Sequence, residues 1–419
     1  MPASSDVFPV QELRRQFPAL QEGGGRFIFF DNAAGAQIPA RVLDAVTDHL
    51  VKRNVQRGGP YRHSREVDAA IARARESVAV FVNARAPEEI AFGLNATSFI
   101  RSISLAIGQT LDKRPEIVVS ELDHEANVAT WLALERVGAR IVWWRVREDG
   151  TLDPQDLEAL VNDRTRVVAC TVASNATGSI VNVADVARRA HAAGAEVFLD
   201  AVHYAPHAPI DVRALDCDYM VCSGYKIFAP HMGFAWCRRE AINRLPTFRE
   251  DFIPDVTPDK LEAGTYVYEN VAGMDAAVAY LEELGRRVGD AQATSRRDHI
   301  VRAMDAIATY ERTLSSMMLG GVVRVEGLTV HGVTDRERLV ERLPTICFSV
   351  AGRDSSAIAA AMAARDIGIR SGHMYTPRLM ARLGLAPTGV VRASLVHYNT
   401  PGEIARFMDA LNEAIESLS

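Results

Sequence analysis

An aspartate and a lysine each close a short apolar run near the middle of this chain. Asp200 follows Glu196-Val197-Phe198-Leu199, and Lys226 follows Tyr219-Met220-Val221 by way of Cys222-Ser223-Gly224-Tyr225. Runs of this kind predict parallel strands, and open α/β sheets bind ligands in the crevice outside the carboxyl ends of their strands. A lysine desolvated there loses its charge easily and becomes a nucleophile toward carbonyl carbon. Ser223 and Gly224 supply a hydroxyl and a turn that permits close approach. The plain alternatives are a surface lysine after a strand and, for Asp200, a helix N-cap.

A Schiff-base lysine and a carboxylate facing a pyridine nitrogen are the pair that pyridoxal phosphate requires. Other strand ends can serve the same ligand. Asn95-Ala96-Thr97-Ser98 makes a strand-to-helix turn with a hydroxyl, suited to a phosphate but spelled like any Asn or Thr cap. His124 could stack on the ring, Asn175 could donate to its phenolic oxygen, and His203 lies three residues after Asp200. Each is also compatible with a structural role. Arg392, an arginine within an apolar strand, needs an anion if buried: a substrate α-carboxylate held bidentately, or a structural salt bridge.

These residues require elements to position them. Strands are expected at 90–93, 117–120, 140–145, 167–172, 197–199, 219–222 and 233–237, alternating with helices near 98–107, 126–137, 154–161 and 183–193. Alternation of this kind predicts a mainly parallel sheet covered on both faces. Phe27-Ile28-Phe29-Phe30 reads as a strand leading into the loop Asp31-Asn32-Ala33-Ala34-Gly35, and Pro39 as a first-turn residue of the next helix. From about residue 286 a long helix, two strands and a C-terminal helix predict a smaller α+β domain. The expected division is an N-terminal segment, 1–25, packing with the small domain, a large domain, 26–285, and a small domain, 286–419.

The 419 residues suffice for two domains, and 24% charged with 48% hydrophobic residues excludes the disordered class. A net charge of −6 gives no reason to expect nucleic acid or an anionic membrane as partner. Five cysteines without C-x-x-C spacing argue against a disulfide framework or structural zinc and for a reducing cytoplasm. No signal pattern and no long apolar run is present, so neither secretion nor membrane insertion is expected.

Taken together, FFDNAA, LNATSFI, ELDHEANV, ASNATGSI, FLDAVHYAPHAPIDV, VCSGYKIFAPHMG, GTYVYENVAG and VRASLVHYN resemble the class V, fold-type I pyridoxal phosphate enzymes of the cysteine desulfurase type. DAVHYAPHAPIDV and VHYN resemble a desulfurase-like subfamily more than the sulfur-mobilising enzymes. The resemblance implies an α/β fold with a large, mainly parallel seven-stranded sheet and a smaller α+β C-terminal domain. It makes Lys226 the Schiff-base residue, Asp200 the partner of the pyridine nitrogen and His124 the stacking residue. Asn175 and His203 would lie near the phenolic oxygen, with Ala96, Thr97, Ser223 and Tyr225 at the phosphate. Thr265 would reach the phosphate of a neighbouring subunit, implying a homodimer with shared active sites. Arg392 would bind the substrate carboxylate, with Asn32 beside it.

Two departures matter. Tyr225 stands where the family often has histidine, and a phenol can still hydrogen-bond to phosphate. In the loop Arg370-Ser371-Gly372-His373-Met374-Tyr375, Tyr375 stands where true desulfurases carry the cysteine that takes sulfur as persulfide, and none of the five cysteines lies there. A phenol cannot hold a persulfide. The expected reaction is therefore β-elimination from an S-substituted cysteine to pyruvate, ammonia and a thiol, with Tyr375 or His373 contacting the leaving group or gating the pocket. Desulfuration or desulfination, transamination, epimerisation and decarboxylative deamination remain open on the same scaffold. So does a non-catalytic relative that binds the cofactor or a partner.

Overall fold

In the computed structural model, which describes residues 8–288 and 294–418, the first strand is β1 (Ile28–Phe29). Then come β2 (Ile90–Gly93), β3 (Glu116–Ser120), β4 (Arg140–Trp144), β5 (Thr165–Thr171), β6 (Glu196–Asp200), β7 (Tyr219–Ser223) and β8 (Gly233–Cys237). These last seven form one sheet in the order β2-β8-β7-β6-β5-β3-β4. All neighbours are parallel except at β8, which runs antiparallel to both β7 and β2.

Side chains alternate across a strand, so one apolar run feeds two cores. Val168, Cys170, Val197, Leu199, Met220 and Cys222 point into one core, roofed by the helices Arg62–Val82, Val183–Ala192 and Tyr268–Val288. Val167, Ala169, Phe198, Tyr219 and Val221 point into the other, under Ala96–Gly108 and Ala126–Leu132. Burial on both faces explains why these strands read as continuous apolar runs.

A second, antiparallel sheet contains β9 (Leu328–His331), β10 (Thr345–Val350), β12 (Arg370–Gly372) and β13 (Val390–Ser394), in the order β12-β13-β10-β9. Its core residues Ile346, Phe348, Val391 and Ala393 pack with the helices Arg296–Val322, Ser355–Ala363 and Pro401–Ser417. β1 pairs in parallel with β11 (Ile367–Gly368), and Asp31 bridges to Ser394. The chain thus leaves β1 through the seam between the sheets.

The expected N-terminal segment is described only from residue 8, and its first seven residues lie outside the described chain. Phe8 stacks on Tyr310, and Arg14 pairs with Glu403 at 2.9 Å. Phe17 meets Tyr398 but also Phe228 and Tyr280, so this segment touches both bodies of structure.

Two local readings change. The stretch expected as a helix at 154–161 is a 3-10 turn, Pro154–Ala159, started by Asp153, whose side chain accepts from Gln155 N–H. So short an apolar period does not discriminate between helix types. Pro39 is the N-cap of Ala40–Arg53 and not its first residue. Among the described residues, no helix is long and apolar enough to cross a membrane.

Candidate active site

β7 ends at Ser223, and a single 3-10 turn, Gly224–Lys226, carries the lysine off the strand. A Cβ on Gly224 would meet the Pro230 carbonyl oxygen at 2.8 Å, so that close approach requires glycine. Gly233 on β8 has the same reason: a Cβ there would lie 2.5 Å from the backbone of Asn95, whose turn opens the helix Ala96–Gly108. Asn95 and Ser98 close a capping box, and Ala96 N–H donates to Ser223 Oγ at 3.2 Å. The helix N-terminus is thereby fixed beside the lysine turn.

An open cleft lies at these strand ends. Nine of the ten residues expected at the cofactor line it: Ala96, Thr97, His124, Asn175, Asp200, His203, Ser223, Tyr225 and Lys226. Lys226 is 7% exposed. Burial and the nearby Arg392 guanidinium lower its amine to about 8, against the opposing charges of Asp200 and Asp31. Asp200 is as deeply buried. Its carboxyl is raised by burial and held back by the Val202 N–H, 2.9 Å from Oδ1, and by Lys226.

His124 is lowered to about 4, first by burial and then by Lys226 and Arg392, so the ring is neutral at physiological pH. Its Nδ1 accepts from Ala126 N–H at 3.0 Å, which puts the ring proton on Nε2. His203 is pushed well below the usual imidazole range by burial, and its Nε2 lies 2.9 Å from Thr345 Oγ1. The turn carrying His124 is braced by Asp123, which takes Asn127 Nδ2 at 2.7 Å and the Ser120 hydroxyl. Burial raises the Asp123 carboxyl to about 7.

The loop after β12 lies against the turn that carries His124. Tyr375 lays its ring on His124 with centroids 5.5 Å apart, while Glu125 N–H donates to the Tyr375 carbonyl and Asn175 Nδ2 to the Met374 carbonyl. Met374 and Tyr375 both adopt positive φ, 52° and 58°, which non-glycine residues avoid. Such a pair persists only where its surroundings over-determine it, and these two bonds supply that constraint. His373 is exposed; its Nδ1 accepts from Tyr375 N–H, and it does not line the cleft.

Arg392 is 1% exposed, in the middle of β13. It donates to the Asn175 carbonyl at 2.8 Å and pairs with Asp31 at 2.9 Å, leaving its Nε without a partner. Asp31 also takes Arg370 Nε and Nη2. The structural salt bridge and an open donor therefore coexist on one side chain.

Asn32, expected beside the substrate, is a correction in position. Its Nδ2 donates to the Phe29 and Ser394 carbonyls and to Asn399 Oδ1, and its Oδ1 accepts from Tyr398 OH. The carboxamide is fully engaged in the seam between the sheets and does not line the cleft. Thr265 also lies away from the cleft, exposed and accepting from Gln56 Nε2 at 2.6 Å. Sequence reasoning missed Asp31, although an acid at the end of an apolar run, inside FFDNAA, was the available signal. It also missed Thr345, the partner of His203.

These residues fit pyridoxal phosphate. A low-pKa buried amine, a buried carboxylate, a neutral ring and a helix N-terminus surround one slot. Among the described residues, no group of three or more His, Cys, Asp or Glu side chains is placed to hold a metal ion.

Comparison with known proteins agrees. An aminotransferase-like protein of Gibberella zeae is 35% identical over 97% of this chain and 99% of its own length. A probable cysteine desulfurase of Streptomyces coelicolor is 30% identical over 97% of each chain. The crystal structure of an Escherichia coli cysteine desulfurase superposes with TM-score 0.84 at 27% identity, covering 99% of this chain and all of that one. The apo cysteine desulfurase of Thermococcus onnurineus gives 0.87 at 25% identity, covering 98% of this chain and 99% of that one. The family model for aminotransferase class V matches residues 28–407. A cleft built around Lys226 and Asp200 on this fold, and a family match over most of the chain, give one conclusion: the chain belongs to the aminotransferase class-V family and is a pyridoxal-phosphate-dependent enzyme similar to the cysteine desulfurases.

Proposed function

We propose that the enzyme is a C–S lyase that eliminates a thiol from an S-substituted cysteine, yielding pyruvate and ammonia. The observation that carries this reading is Tyr375, stacked on His124 in the loop where a sulfur-accepting cysteine would stand. The five cysteines, Cys170, Cys217, Cys222, Cys237 and Cys347, are all buried with their thiols raised by burial. None is suited to act as a thiolate that receives sulfur.

Bound in the cleft, pyridoxal phosphate supplies a carbonyl that captures the substrate amine and a ring that withdraws electrons from Cα. The protein supplies positions and protons. Lys226, with its amine near 8, has a substantial neutral fraction at working pH and removes the Cα proton as general base. Asp200 holds a proton at the pyridine nitrogen. Arg392 offers its free Nε to the substrate carboxylate, and Asp31 keeps the guanidinium aimed. Tyr375 packs its ring against His124. The first turn of the helix Ala96–Gly108, with Ser223 and Tyr225, receives the phosphate.

Incubation with S-alkyl cysteines is expected to release pyruvate and thiol in equal amounts. Formation of alanine and a persulfide from cysteine would instead establish desulfuration, the second reading, which the names of several relatives favour. Replacing Tyr375 by phenylalanine keeps the stacked ring; kcat/KM should fall by less than about tenfold with the cofactor still bound. Loss of the cofactor spectrum in that variant would contradict this placement of the loop. Replacing Arg392 by glutamine should raise KM by about 30-fold or more, because a buried charge-assisted contact is lost, with kcat falling less.

We also read the enzyme as a homodimer in which Thr265, exposed and outside the cleft of its own subunit, serves the phosphate of the partner. The 26–285 and 286–419 division and a cytoplasmic location complete this reading. The buried free thiols fit a reducing compartment.

A further inference from the structure

His203 marks the back of the cleft, and behind it a second cavity of about 210 Å³ opens. Its walls are residues 204–209, the helix Arg296–Val322 and residues 339–344. Its floor is polar yet buried, formed by His207, Glu311, Ser315 and Arg342. Its rim, at Asp305, Arg312 and Val340, is exposed.

The floor holds two buried oxygens without hydrogen-bond partners. Glu311 Oε2 lies 2.7 Å from His207 Nδ1, but Glu311 Oε1 has no hydrogen-bond partner, and neither has Ser315 Oγ. Both residues are 1% exposed. They are four apart on one helix and so share a face. Buried acceptors left without donors are rare and costly, more so when charged. Arg342 does not fill the need, because its guanidinium is directed at the carbonyl oxygens of Thr177, Val333 and Thr345. Burial raises the Glu311 carboxyl, with His207 and a backbone hydrogen bond from His397 opposing. A metal ion needs more ligands than this floor offers.

The geometry points to a second ligand site in this cavity, for a primary ammonium group held between Glu311 Oε1 and Ser315 Oγ. A compact ammonium meets both unpartnered oxygens with separate N–H groups. If the group belongs to an α-amino acid, its carboxylate lies toward Arg312 at the rim, whose Nη2 donates to Thr309 Oγ1. The site reports to the cleft through one contact: the His207 ring meets the His203 ring edge-on, with centroids 5.4 Å apart. Nothing in this inference depends on which reaction the cleft performs.

The test is calorimetric titration of methylammonium into holoenzyme reduced with borohydride, so that no cofactor carbonyl can react with the amine. Saturable binding is expected. It should weaken by more than about tenfold in Glu311→Gln and by about threefold or more in Ser315→Ala. Ala308→Leu, which narrows the cavity without touching the acid, should weaken it as well and serves if Glu311→Gln fails to fold. Tetramethylammonium, which has no N–H, should not bind. Alanine binding more tightly than methylammonium, with the advantage lost in Arg312→Ala, would identify an amino acid as the ligand; equal binding would identify a free amine. Equal binding of tetramethylammonium, full binding in both Glu311→Gln and Ala308→Leu, or no saturation up to about 100 mM would overturn the assignment and leave water as the occupant.

Discussion

Replacing Lys226 by alanine is expected to lower turnover by about 10³-fold or more and to abolish covalent retention of the cofactor. Borohydride reduction followed by peptide mass spectrometry should place the label on Lys226 in the wild type and on no residue in the variant. A labelled peptide elsewhere would remove Lys226 from its role. The lysine also carries a pH signature in the cofactor-free protein. Its amine titrates near 8 when folded, against an ordinary value of 10.5. At pH between these values the unfolded chain binds the extra proton, so stability rises with pH across that window. Below about 8 both states are charged, and the full penalty of the buried ammonium applies, up to about 3 kcal/mol. Lys226→Met should therefore be more stable than the wild type near neutral pH when both lack cofactor. The difference should shrink toward pH 10, as followed by urea unfolding.

Replacing Asp200 by asparagine is the second large effect, a loss of kcat of about 10²- to 10³-fold with cofactor at saturation. Asparagine preserves the acceptor for Val202 N–H but cannot hold the pyridine nitrogen protonated. A buried carboxylate whose charge is resisted by burial is not a source of stability. The unfolding temperature of the cofactor-free variant should consequently stay equal or rise while activity collapses. A parallel fall of both would indicate a structural residue. Asp200→Glu, which retains the charge on a longer arm, should recover only part of the rate.

How much of this was legible in the sequence depends on where each partner lies. β2 and β8 match their expected ends, and the other strands of the large sheet differ by one or two residues. Their apolar runs are buried on both faces, so each run is itself the signal. Strand ends and glycine turns were equally readable, which is why Lys226, Asp200, His124, Asn175, His203 and Ser223 converge as expected. Asn32 was misjudged because the groups that bind it, Ser394, Tyr398 and Asn399, lie more than 360 residues away. Pairing across that distance leaves no local pattern. Asp31 went unnoticed for the same reason: its value comes from Arg370 and Arg392, which β12 and β13 bring to it. The second cavity was invisible as well, since Glu311 and Ser315 spell an ordinary helix face until His207 packs against them.

Tyr375 meets His124 from a loop of the small antiparallel sheet, while Lys226 and Asp200 belong to the large, mainly parallel one. Inheritance can therefore act on the two separately. Drift in the loop and in the helix after it, Pro377–Arg382, can change what packs against His124 while Lys226 and Asp200 stay untouched. Drift in the large sheet removes all reactions at once. A lineage built this way diversifies by substitutions within a few consecutive positions. Relatives that share nearly everything with this chain can accordingly differ in what they make.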